Sequence, residues 1–106
     1  MKYDVTVQAE AFQEIENAYR WLCDNSRPDV ANNWYNDLQS AIASLSTFPR
    51  RCPIAPEAAF FDREVRQLIV GKSQKYRVLY IVQDDRVSVL HVRHSRQSRS
   101  PEEDSE

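Results

Sequence analysis

From Lys75 to Gln83 the chain reads as an alternating strand, Asp84-Asp85 interrupts it, and Val87 to His94 takes up the same rhythm. A period of two broken by two turn-forming residues predicts a tight antiparallel hairpin. If Asp84 and Asp85 form the turn, Val82 faces Val87, Leu79 faces Leu90, Arg77 faces Val92 and Lys75 faces His94. Tyr76, Val78, Tyr80, Val89, His91 and Arg93 then line the opposite side. Both sides are apolar near the turn and basic at the far end, so alternation alone does not choose the face that packs. The register does gather Lys75, Arg77, His91, Arg93, His94 and Arg96 at the end away from Asp84.

The rest of the chain supplies what covers this hairpin. Tyr3, Val5 and Val7 alternate with polar neighbours and predict a first strand. In AEAFQEIENAYRWLCDN the residues Phe12, Ile15, Tyr19 and Leu22 recur at helical spacing, with Glu10, Glu14 and Glu16 in the early turns where the helix dipole favours anions. Asn25-Ser26-Arg27-Pro28 ends that helix and starts a second, with Pro28 near its first position. Val30, Trp34, Leu38, Ile42 and Leu45 mark its apolar side, and Pro49 stops it. From Pro49 to Asp62 three prolines and no clear period predict an extended loop. VRQLIV is the next strand, and Gly71, the only glycine, fits a turn of positive φ after it. The predicted class is α+β: an N-terminal strand, an antiparallel helical hairpin on one side of the sheet, then a three-stranded antiparallel meander. Residues 1–99 form one domain in this reading, and 100–106 a disordered acidic tail.

Charge is unevenly spread. The net value is −2, yet residues 50–100 hold eleven Lys/Arg against five Asp/Glu, while the first 49 residues and the last six are each acidic. A basic half on a mildly acidic protein predicts a footprint for an anionic ligand, with a merely solvated cationic face as the plainer alternative. No apolar run approaches the ~20 residues that span a bilayer, and no secretory signal opens the chain, so a cytoplasmic protein is expected. Cys23 and Cys52 lack the spacing of a zinc or redox motif and read as reduced packing thiols. No metal or organic cofactor is indicated, and no phosphate-cradling glycine loop is present.

The element order, WLCDN, ANNWYNDLQSAIASLSTFPRRCP, VRQLIVG, KYRVLY and the closing HVRHSR together resemble the RelE/ParE toxins of bacterial type II toxin–antitoxin pairs, over about residues 3–99. The resemblance implies a toxin silenced by a cognate antitoxin, in a hetero-oligomeric complex without a membrane. It also implies one of two activities. RelE-like members cleave ribosome-bound mRNA, and ParE-like members act on DNA gyrase by binding. On the first, Arg77 matches the strand arginine that holds the scissile phosphate, Arg66 sits where a lysine does similar work, and His94 or Arg96 falls in the closing basic motif. Leu68 stands where a second lysine is expected, and no tyrosine follows His94. A third reading is a degenerate, non-toxic protein that only binds antitoxin.

Cleavage by 2′-OH attack needs a base, a cation for the developing phosphorane charge and an acid for the leaving oxygen. Arg77 and Arg66 are candidates for the cation, and His94 for proton transfer, because by strand parity it shares Arg77's side whereas His91 does not. Lys72, Lys75, Tyr80, His91, Arg93 and Arg96 are the candidate target- or RNA-binding residues. The plainer reading of Arg77 is an ion pair with Glu64 or Glu57. The incomplete proton-transfer set leans the assignment to the ParE-like branch.

Overall fold

The computed structural model describes residues 2–71 and 76–94. The strand β1 (Asp4–Val7) leads into α1 (Ala9–Asn25) and α2 (Pro28–Ala43); α3 (Ala58–Phe61) precedes β2 (Arg66–Val70), β3 (Tyr76–Gln83) and β4 (Arg86–His94). The sheet order is β1-β4-β3-β2. The last three strands form the antiparallel meander, while β1 lies parallel to β4, pairing Asp4–Val7 with Arg86–Val89, so the sheet is mixed and not wholly antiparallel. The expected acidic tail lies outside the described residues.

Both long helices cover one sheet face. Pro28 opens α2 at its first position, where its missing N–H is no loss. The buried stripes run through Ala11 and Ile15 on α1 and through Ala31, Trp34, Leu38 and Ile42 on α2, continuing to Leu45. They meet Val70, Val78, Tyr80, Val87, Val89 and Val92 of the sheet. Ile15, Trp34, Leu38, Ile42 and Leu45 are buried as expected, and only the first position of each stripe differs: Phe12 is 54% and Val30 41% exposed, with Ala11 and Ala31 buried in their place. An alanine lets the helix axis approach the sheet closely, so the small neighbour takes the innermost position and the larger side chain moves to the flank. After α2 a 3-10 turn, Ser44–Ser46, leads to Phe48, which takes a left-handed conformation (φ 51°) just before Pro49. Arg51 donates from Nη1 to the Thr47 and Phe48 carbonyls at 2.8 and 3.1 Å, satisfying groups the broken helix leaves open.

The segment from Pro49 to Asp62 is not a free loop, which corrects the sequence reading. Ile54 bridges Arg66 on the outer edge of β2, Ala55 N–H donates to the Val65 carbonyl and Gln67 N–H to the Pro53 carbonyl. The chain then crosses the second sheet face as α3. There Ala55 packs with Val65, Leu79 and Ile81, and Ala58 and Leu90 border them. Period-free sequence hid this because the segment anchors through backbone and four buried residues, Pro49, Cys52, Ala55 and Glu57, not through a repeating stripe. Five consecutive residues of β3, Arg77 to Ile81, are buried as a result, with helices on one side and this strap on the other.

The hairpin turns at Asp84-Asp85, Asp84 having φ 52°, and Val82 faces Val87 as the pattern requires. A β-bulge then interrupts the ladder between Tyr80 and Leu79. Beyond it Arg77 faces Arg93 and Tyr76 faces His94, instead of Arg77 facing Val92 and Lys75 facing His94. One extra residue reverses every side chain that follows it, so the expectation that His94 shares Arg77's face is overturned. Gly71 has φ 100°, the conformation its turn was expected to need.

Candidate functional site

Arg77 projects from β3 onto the strap side of the sheet. Its Nη1 donates to Glu57 Oε1 at 3.1 Å and to Gln67 Oε1 at 2.9 Å, and its Nη2 donates to Glu57 Oε2 at 2.5 Å. Arginine and glutamate are 6% and 2% exposed. This is a two-pronged, charge-assisted pair, the geometry that a planar guanidinium and a carboxylate favour. Arg93 lies directly across the ladder from Arg77. Burial pushes the Glu57 carboxyl up, but the hydrogen bonds from Arg77 and from the backbone, together with the charges of Arg77 and Arg93, outweigh it and hold the group below the usual glutamate range. Of the two plainer partners for Arg77, Glu57 is the one present.

Arg66 and Tyr80 occupy the helix side of the sheet, opposite each other in register. Arg66 Nη1 donates to the Cys52 and Arg50 carbonyls at 2.6 and 3.2 Å, and Nη2 to Glu64 at 3.2 Å. Tyr80 is fully buried, and its hydroxyl donates to the Pro49 carbonyl at 2.5 Å. Burial, with the Cys52 thiol adding, drives that hydroxyl far above the usual phenol range. Arg50 reaches the Tyr3 hydroxyl at 3.2 Å. Arg50, Arg51, Arg66 and Arg77 therefore tie the 49–57 segment to the body of the protein. Much of the basic excess is internal fastening, which a charge count cannot tell from a ligand footprint.

The two histidines occupy different surroundings. His91 sits at the edge of β4 between helices: its Nδ1 is 3.2 Å from a Glu14 carboxylate oxygen on α1, and its ring centre is 6.2 Å from that of Phe61 on α3. The same carboxylate accepts the Val92 N–H at 2.9 Å, where β1 has already ended and no strand is present to do so. His94 meets Tyr76 edge to face at 5.0 Å, and Tyr76 in turn lies 5.0 Å from Trp34. The structure thus places Arg77 beside Arg93 and keeps His94 on the opposite face, while Lys72, Lys75 and Arg96 lie outside the described residues. Among the described residues no group of three His, Cys, Asp or Glu side chains is placed to hold a metal ion.

Sequence reasoning missed Glu14 and Gln67, and it did not locate the groove on the outer surface of the helical hairpin. Phe12, Tyr19 and Tyr35 line a groove there of about 450 Å³, with Glu16, Arg20 and Gln39 at its sides. Tyr19 donates to Asn32 Oδ1 at 2.7 Å, and the Tyr19 and Tyr35 rings meet edge to face at 5.8 Å. Trp21, Phe48 and Phe60 are 59%, 76% and 55% exposed elsewhere on the surface. A signal for the groove did exist: each helix carries more large apolar residues than one core-facing stripe can bury.

The arrangement is a four-stranded sheet with β1 inserted parallel beside β4 and a helical hairpin on one face. The family pattern described as the ParE toxin of the type II toxin–antitoxin system, parDE, matches residues 5–99, and the chain belongs to that family. A solved chromosomal ParDE toxin–antitoxin system from P. aeruginosa superposes with a TM-score of 0.70 at 12% identity, over 88% of this chain and 96% of that one. At that identity the likeness is one of fold. No curated protein sequence matches this chain. No helix among the described residues is long and apolar enough to cross a membrane.

Proposed function

We propose that this ParE-family toxin acts in the cytoplasm by binding a protein target, DNA gyrase, and that a cognate antitoxin neutralises it by laying an apolar helical segment in the groove between α1 and α2. The observation that carries the reading is the state of Arg77. A nuclease needs that guanidinium free for phosphate and a proton-transfer group within reach. Here Glu57 fills the fork and His94 faces the other way. The groove supports the antitoxin half: aromatic side chains left in water on a small protein are natural anchors for a partner helix.

Brief induction without antitoxin tests the target. Growth arrest with accumulated gyrase-cleaved DNA and intact transcripts is the expected result. Discrete new 5′ ends in transcripts would replace this reading with the ribosome-dependent nuclease, and absence of arrest would replace it with the non-toxic antitoxin binder.

A further inference from the structure

We infer that the Arg77 guanidinium, with Gln67 and Arg93 beside it, is a carboxylate-binding fork that the chain keeps shut with its own Glu57, and that the strap 52–62 is a latch which an acidic peptide side chain can displace. The argument begins with the cations. Arg77 and Arg93 face each other across adjacent strands, an arrangement that is unfavourable without an anion between them. Glu57 supplies that anion with both oxygens, and Gln67 accepts a further N–H from Arg77 Nη1. The fork is therefore already built for a carboxylate, and the one bound is tethered.

The tether is local. Cys52, buried and accepting from Arg66, anchors the near end of the strap; beyond it the strap is held to the sheet by the Ala55–Val65 and Gln67–Pro53 backbone bonds, the Ile54–Arg66 bridge, the buried Ala55 and Glu57 side chains and the packing of Ala58. Pro53 and Pro56 have no N–H to add. The four residues of α3 include none that is buried, and Phe60 and Phe61 stand 55% and 38% exposed instead of packing beneath. The sheet does not need the strap for its own continuity, because β3 is paired on both sides by β2 and β4. Lifting the strap leaves a complete sheet presenting Arg77, Arg93 and Gln67 beside the apolar Leu79, Ile81 and Ile69. That surface suits an acidic residue flanked by aliphatic ones. Wild-type protein offers it only when Glu57 swings away, so the intramolecular carboxylate competes with any incoming one. The inference does not depend on the toxin's target.

The test removes the tethered carboxylate and supplies a free one. In full-length E57A, sodium acetate should raise the thermal midpoint saturably over sodium chloride at equal ionic strength, by about 5 °C once acetate exceeds its dissociation constant roughly tenfold. Wild type and the double variant E57A/R77M should not respond. An equal response in E57A/R77M, or none in E57A, overturns the inference. Should E57A fail to fold, amide exchange decides. Ala55 and Gln67 should exchange faster in E57Q than in wild type by about tenfold with the β3–β4 ladder unchanged, and a uniform acceleration across strap and ladder would refute the latch.

Discussion

Replacing Arg77 by methionine leaves the Glu57 carboxylate 2% exposed with its ion-pair partner gone and only the charge of Arg93, across the ladder, nearby. Breaking a buried ion pair from one side costs about 3–5 kcal/mol, because the surviving charge keeps its desolvation penalty. Against a total stability of about 5–15 kcal/mol, that is a third or more for many domains. At roughly 4 °C per kcal/mol for a domain of this size, the midpoint should fall by ~12–20 °C. The double variant R77M/E57M removes both charges and should recover most of the loss. The dependence on pH separates the two proteins further. In wild type the folded Glu57 binds its proton more weakly than the unfolded chain does, so its stabilisation is complete above the ordinary carboxylate value of ~4.3 and is lost as pH falls through the lowered folded value. In R77M burial is left to dominate and favours the neutral acid, so stability should rise on acidification instead. Urea melts of the three proteins from pH 3.5 to 7.5 measure both effects. A loss below about 1 kcal/mol for R77M, as an exposed pair would give, or the same pH slope in R77M and wild type, refutes the buried-pair account.

Tyr80→Phe removes the donor to the Pro49 carbonyl and should cost about 1–3 kcal/mol in denaturant melts, since the buried carbonyl is left unpaired. Glu14→Ala strips the acceptor from Val92 N–H and the partner from His91; amide exchange at Val92 should quicken while Val78 on the neighbouring strand stays protected. Tyr35→Asp, at the 38% exposed wall of the helical groove, should leave the melting midpoint nearly unchanged while weakening antitoxin binding at least ~10-fold by calorimetry, as loss of an aromatic anchor does.

The hairpin, the helix boundary at Pro28 and the turn at Gly71 were legible because each rests on local chemistry: a period of two, a fixed proline φ and a positive glycine φ. The bulge beside Leu79 and Tyr80 was not, because an inserted residue leaves hydrophobic alternation almost unchanged while inverting the faces beyond it. That single feature moved His94 away from Arg77. The helical stripes were legible except at their first positions, where Ala11 and Ala31, whose small size decides how near a helix lies and which a hydrophobicity pattern scores weakly, replace Phe12 and Val30. Glu57 was legible, beside Glu64, as a candidate ion-pair partner for Arg77, but nothing local chose between the two. Its role depends on a contact twenty residues along the chain, which no local pattern encodes.

The parallel seam between β1 and β4 joins Asp4–Val7 to Arg86–Val89, so the first strand to leave the ribosome waits for the last. Until then α1 and α2 have only the β2–β3 pair to pack on, and part of their apolar stripes must stay in water or find another cover. Folding of this toxin is therefore an event of chain completion, driven by a long loop closure that is slow to reward. A nascent chain stalled before Arg86 holds both helices and no finished body on which to display them. The interval between synthesis and assembly gives an antitoxin already in solution its first opportunity to bind.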